Sequence, residues 1–292
     1  MSAPMSAPPS PSPSPSREAW RVFRRNRAAV LGLAMLALVI VTMALGPTLW
    51  PVPPFDIVGA PFTPPFEQAA LPLGTDYLGR DILAGMAVGG RATLAVGLAA
   101  AAITVTIGLT VGALAGYLGG WVDELLSRLT EVFQVMPSLL FAMVLMTLFS
   151  PSLGTAVLAI GLVAWTSTAR LARAEFMRLR RLEYVSAARA LGAGPLRLML
   201  REILPNAAPP LIVSATLVIG IAILFEAGLS FLGLSDPNVM SWGLMIGSNR
   251  RYVLDAWWAV TFPGFAIFTT VLAVSLVGDG LNDALNPKLQ LR

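Results

Sequence analysis

Residues 28–49 run without one ionisable side chain, and stretches 93–118, 132–149, 152–169, 211–232 and 257–277 repeat that apolar character. A helix needs about 20 such residues to cross a hydrocarbon layer of roughly 30 Å at about 1.5 Å per residue. The sequence therefore predicts six transmembrane helices. Ser150, Pro151 and Ser152 leave only a tight turn between the third and fourth stretches, where a re-entrant hairpin is the alternative.

Composition agrees with lipid as the solvent. The chain is 56% hydrophobic and 12% charged, with mean hydropathy +0.74, and a water-soluble chain carries about twice that charge fraction. Cysteine and histidine are both absent, which removes disulfides, thiol nucleophiles, imidazole bases and thiolate or imidazole metal sites. The net charge of +4 comes from a few basic clusters, a pattern of membrane topology and not of nucleic-acid binding.

Lys and Arg of short loops are held on the cytoplasmic side. Arg17, Arg21, Arg24, Arg25 and Arg27 precede the first stretch. Arg170, Arg173, Arg178, Arg180, Arg181, Arg189, Arg197 and Arg201 lie between the fourth and fifth, and Arg128, Lys288 and Arg292 fall on the same side. Only Arg80, Arg91, Arg250 and Arg251 oppose them. Both termini are thus expected in the cytoplasm of a multi-pass inner-membrane protein. The organisation that follows is a disordered Ser/Pro tail over 1–16, an amphipathic segment and first helix over 17–50, and an extracytoplasmic loop over 51–92. A helical core over 93–282 and a cytoplasmic tail over 283–292 complete it. The arginines ahead of the first apolar run resemble a secretory signal, but the run is too long and five more follow, so it reads as an uncleaved anchor.

Helices in lipid associate where small residues let backbones approach. Gly108, Gly112, Gly116 and Gly120 recur every four residues and continue the small side chains of Ala100 and Thr104. They predict a close helix contact, within the bundle or with a sister subunit. Pro137 and Pro263 sit inside expected spans and predict kinks, a feature of solute pathways and equally of other membrane proteins.

The 39-residue segment 170–208 is too long and too patterned for a linker. Arg170, Arg173, Arg180 and Arg181 extend the fourth span as a basic stripe. Tyr184, Ala187, Ala188 and Leu191 form an apolar face closed by Gly192. Gly194 as N-cap and Pro195 as first helical residue open a second helix, with Leu196, Met199, Leu200 and Ile203 as its apolar stripe and Pro205 as its stop. Such an elbow fills a partner's groove or lies on anionic headgroups.

The run Ser186-Ala187-Ala188-Arg189-Ala190-Leu191-Gly192, followed after nine residues by Glu202-Ile203-Leu204-Pro205, resembles the EAA loop of ABC importer permeases. It departs from the motif at Ser186, where the consensus has Glu, and at Glu202. The resemblance extends to Leu73-Gly74-Thr75-Asp76-Tyr77-Leu78-Gly79-Arg80-Asp81, to Glu226-Ala227-Gly228-Leu229-Ser230-Phe231-Leu232-Gly233, to Ser241-Trp242-Gly243 and to Gly278-Asp279-Gly280-Leu281. On these residues the chain is similar to the C-type permease subunits of dipeptide and oligopeptide importers. That resemblance implies a type I ABC importer permease fold in which Tyr184, Ala187, Ala188, Arg189, Gly192, Pro195, Leu204 and Pro205 belong to a coupling loop. It also implies a second homologous permease, two ATP-binding subunits carrying ATP and Mg, and an extracytoplasmic solute-binding protein.

No P-loop is present, since Lys288 is the only lysine and its surroundings do not fit. The chain itself is expected to hold no cofactor and to catalyse nothing. The competing class is an ion-coupled secondary transporter or channel, which would place ionisable groups inside its spans. Glu226 alone does so, either facing a solute path or hydrogen-bonded to a neighbouring helix. An intramembrane enzyme would need paired carboxylates or a base beside a nucleophile. Asp76, Arg80 and Asp81 read as caps or salt bridges at the surface, and Trp242, Tyr252, Trp257 and Trp258 as an aromatic belt.

Overall fold

The computed structural model describes residues 15–234 and 236–285. Most of the expected N-terminal tail, and residues 286–292 of the expected C-terminal one, lie outside the described residues. Among the described residues every regular element is helical, and only isolated bridges, Ile57 with Arg80 and Thr75 with Asp81, mark extended pairing.

The helices are α1 (Pro15–Arg25), α2 (Arg27–Leu49), α3 (Ile82–Leu118), α4 (Gly120–Val135), α5 (Ser138–Leu148) and α6 (Leu153–Leu179). After them come α7 (Glu183–Ala190), α8 (Pro195–Arg197), α9 (Leu204–Phe231), α10 (Trp242–Asn249) and α11 (Trp258–Leu285). Five spans are single helices long and apolar enough to cross a membrane: α2, α3, α6, the continuous run from α8 through α9, and α11. A sixth candidate is the pair α4 and α5, bent by 85°, which is apolar enough only when its two halves are taken together as one broken span. Pro137 explains the break: its ring pushes Met136 into extended backbone, φ −69° and ψ 131°, so the helix stops where a kink was expected. Helix begins at Gly120, ahead of the expected start of the third span at residue 132.

Two boundaries move outward. Asp81 accepts from the Leu83 N–H at 2.8 Å and so starts α3 at Ile82, which makes residues 82–92 helix and not loop. At the other end α11 runs through to Leu285, past the expected boundary at 282. Pro263 stays inside a continuous, unbroken α11.

One polar contact explains a basic residue on the sparse side of the charge count. Pro47 lies inside α2 and has no N–H for the Met43 carbonyl one turn back. The Arg91 Nε–H of α3 donates to that carbonyl at 2.8 Å, and its Nη2 donates to the Ala44 carbonyl at 3.1 Å. Arg91→Leu is therefore expected to lower stability by roughly 1–3 kcal/mol. In a Pro47→Ala background, where the substituted residue's own N–H supplies the missing donor, the loss should shrink to a fraction of that. Thermal unfolding of the four proteins in detergent measures the coupling, and equal losses in both backgrounds would refute it.

The bundle has two distinct ends. Residues 51–81, α10 and the starts of α3 and α11 make a folded cap. At the opposite, arginine-rich end stand α7, α8 and the foot of α9. There α1 packs on α11, with Phe23 over Gly280, and Asn26, the N-cap of α2, donates to Asp283 Oδ2 at 2.9 Å.

Candidate functional site: the basic-end elbow and the buried carboxylate

The elbow is anchored by one residue of the expected apolar stripe, Ile203, and by two that the sequence pattern did not select, Val185 and Leu198. Val185, Leu198 and Ile203 are fully buried against Phe176 and Leu179 of α6 and Ala207 of α9. Tyr184, Ala187 and Leu191, chosen from the sequence as an apolar face, lie on the exposed side instead. Val185 stands next to Tyr184 in a helix of only eight residues, too short for periodicity to separate inner from outer face.

Gly192 ends α7 with φ +87° and open space around it. Its N–H donates to the Arg189 carbonyl at 3.0 Å and the Ala193 N–H to the Ala188 carbonyl at 3.1 Å. This is a Schellman turn, whose left-handed residue is normally glycine because a Cβ there meets backbone oxygen. Gly194, at φ −70°, precedes Pro195, the first residue of α8. The turn leaves Leu191 and Leu196 at 89% and 69% exposure on the outer edge of the elbow.

Pro205 does not stop the second helix. A π-helical turn over Leu198–Ile203 widens the coil so that α8 passes into α9, with the Leu204 N–H reaching back to the Met199 carbonyl. The Glu202 carbonyl takes side-chain donors, Asn206 Nδ2 at 2.7 Å and the Tyr184 hydroxyl at 3.3 Å. Tyr184 thereby fastens α7 to this turn, and burial, with the Glu202 charge added, raises its pKa.

Above the elbow, α3 and α6 form the tightest seam. A Cβ on Gly108 would lie 2.7 Å from Thr168 Cβ, and one on Gly116 would lie 2.5 Å from the Arg173 carbonyl oxygen. Gly112 sits tighter still, against the Ala169 carbonyl. Gly120 is outside this contact: α3 ends at Leu118, and Gly120 opens α4 at φ +56° with nothing near it. Two charged contacts brace the foot of the seam. Arg173 grips Asp123 of α4 through one guanidinium edge, Nε and Nη2 donating to the two carboxylate oxygens at 2.5 and 2.7 Å, and Arg180 donates to the Tyr117 carbonyl at the end of α3 at 2.7 Å. Partners 50 and 63 residues apart on different helices carry no periodic signal in the sequence.

Toward the cap end, Glu226 of α9 is 4% exposed. Its Oε1 accepts from Ser230 at 2.9 Å and from Ser241 at 2.8 Å, while Oε2 has no partner. Gly243 is what lets α10 lie this close, since a Cβ there would fall 2.9 Å from Oε2. One carboxylate oxygen of Glu226 is thus bonded to the residue that caps a neighbouring helix, α10, and the other has no partner.

The cap itself is a hydrogen-bonded scaffold. Asp76 accepts from the Leu78 and Arg80 N–H groups at 2.8 and 2.9 Å, and burial raises its pKa against those donors and the Arg80 charge. The Trp50 indole N–H donates to Asp81 at 2.6 Å. Arg80 lies over the Phe55 ring at 5.2 Å. Trp242 and Trp258 do not serve as belt residues: both are buried, donating to the Met86 and Thr75 carbonyls at 3.0 Å. Tyr252 stacks on Tyr77, ring centroids 5.1 Å apart, and Trp257 alone of the four is strongly exposed.

Long apolar helices with glycine seams, a helix pair bent at proline, and a structured elbow at the basic end define a polytopic helical membrane protein. The comparisons narrow the class. Residues 108–291 match the binding-protein-dependent transport system inner membrane component family, and residues 14–70 match the N-terminal TM domain of oligopeptide transport permease C. The di/tripeptide transport system permease protein DppC of Pseudomonas aeruginosa is 41% identical over 99% of this chain and 97% of its own. The dipeptide transport system permease protein DppC of Escherichia coli is 41% identical over 94% and 93%. A chain from the MetNI methionine ABC transporter, solved in inward-facing conformations, superposes with TM-score 0.54 at 19% identity, covering 68% of this chain and 94% of that one. That likeness shows the fold, the one expected for a type I ABC importer permease. The chain belongs to the family of binding-protein-dependent transport system inner membrane components.

Proposed function

We propose that this chain is one of two permease subunits of an ABC importer for di- and oligopeptides. It forms half of the translocation path, with both termini in the cytoplasm. A second, homologous permease supplies the other half. Two ATP-binding subunits supply ATP hydrolysis with Mg, and an extracytoplasmic solute-binding protein delivers the cargo. Near-full-length identity to di- and tripeptide permeases supports the cargo class.

The observation that carries the coupling role is the elbow: a rigid turn at Gly192, anchored by Val185 and Leu198, with Leu191 and Leu196 uncovered. Apolar side chains projecting at an aqueous end call for a protein that covers them. Closure of the ATP-binding subunits around α7 and α8 then moves α6 and α9, because α7 is fastened to the π-helical turn that leads into α9. Proteoliposomes holding the four-subunit assembly and the binding protein should take up labelled dipeptide only with ATP. Uptake by the permease chains alone, driven by an ion gradient, would replace this reading with a secondary transporter.

Glu226 serves in this reading as the bond that holds α10 against α9. Glu226→Gln keeps an oxygen for both serines, so it should retain more than about half of wild-type uptake, whereas Glu226→Leu strands two buried hydroxyls and should lose most of it. Near-complete loss in the Gln variant, with normal assembly, would return the residue to the solute path.

A further inference from the structure

Beside the exposed edge of the elbow lies an open basin of about 600 Å3, lined by Tyr117 and Leu118 at the end of α3, Arg180 and Arg181 after α6, and Ser186 and Arg189 on α7. Three guanidinium groups converge there and no carboxylate lines the wall. Asp123, whose charge reaches Arg180, is already held by Arg173. Arg180 spends one donor on the Tyr117 carbonyl. The guanidinium groups of Arg181 and Arg189 make no hydrogen bond or ion pair among the described residues. Ser186, the basin's remaining polar side chain besides Tyr117, carries no charge to offset them.

We propose that the basin receives an acidic side chain of the ATP-binding subunit, giving the docked elbow a cationic grip beside its apolar edge. The inference rests on the coupling role proposed above and names the chemistry of the partner at that site. Charge complementarity gives the sign, because three like charges in one hollow repel until an anion enters. The fork of donors on each guanidinium matches a carboxylate. Position gives the source. Ser186 and Arg189 are on the same short helix as Ala187, next to Leu191, so whatever covers the leucine also reaches the basin.

The test uses the assembled transporter in nanodiscs. Retention of the ATP-binding subunits through a salt wash is measured for wild type, R181Q/R189Q, R181K/R189K and L191E, with R128Q, an exposed arginine outside the basin, as control. The glutamine pair is expected to retain about tenfold less ATP-binding subunit, and the lysine pair, which keeps the charge and loses the fork, to fall between it and wild type. Wild type should be indifferent to withdrawal of anionic lipid. If R181Q/R189Q holds its subunits like wild type while L191E loses them, the acidic grip is wrong and the coupling role stands. If L191E also holds them, the coupling role falls with it. Should wild type release its subunits when anionic lipid is withdrawn, the basin holds a headgroup and the proposal is overturned.

Discussion

Gly112→Val is expected to leave little folded protein in the membrane. A Cβ at this position would press into the Ala169 carbonyl of α6, and helix backbones cannot yield as a flexible side-chain tip can. Neighbouring contacts of the same kind at Gly108 and Gly116 fix α3 along α6 on either side, so a local shift has nowhere to go. Overpacking a well-packed core costs about 1–3 kcal/mol for a methyl or two. A branched side chain against backbone should exceed that and separate the helices. Gly112→Ala should fold with a lowered melting temperature. Gly120→Ala should cost only about 1 kcal/mol, from its left-handed backbone alone, since nothing surrounds it. Yield of monodisperse protein and thermal unfolding in detergent measure all three, and equal losses at 112 and 120 would show that spacing, not the seam, matters.

The comparison of Gly112 with Gly120 also marks what the sequence could carry. A repeat of four located three members of a seam correctly in space. It could not see that Gly119 and Gly120 are where one helix ends and the next begins, because a glycine that permits close packing and one that permits a positive φ are the same letter. Proline behaved likewise. Pro137 broke a helix outright, Pro205 was absorbed by a π-helical turn, and Pro263 left α11 continuous. Three prolines thus had three outcomes, which local pattern does not report. The Schellman geometry at Gly192 and the N-cap at Gly194 were legible because each is a local motif with its own backbone logic. The Val185 anchor, the Arg173 grip on Asp123, and the Arg91 donors to α2 were not, because they exist only once distant helices meet.

Gly192→Val is the second large effect, and its expected signature is different: uptake falling about tenfold while the protein inserts, assembles and still hydrolyses ATP. The site is open, so no clash is involved. The whole cost is conformational, roughly 1–2 kcal/mol for an L residue in the left-handed region and more for a β-branched one. That is near the roughly 1.4 kcal/mol that corresponds to a tenfold change in an equilibrium. The chain relieves it by releasing the Ala193 N–H from the Ala188 carbonyl, which lets α8 swing relative to α7. The buried anchors Val185 and Leu198 hold each half to the bundle, so folding survives while the angle between the two halves is lost. Gly192→Asn, which tolerates a positive φ, should transport much better than the valine variant. Gly194→Ala, two residues on at an ordinary φ of −70°, should be near wild type. Dipeptide uptake and ATP hydrolysis, measured together in proteoliposomes, separate the cases. Wild-type uptake by Gly192→Val would remove the elbow's angle from the mechanism, and equal losses at 192 and 194 would mean that the loop needs flexibility and not one left-handed residue.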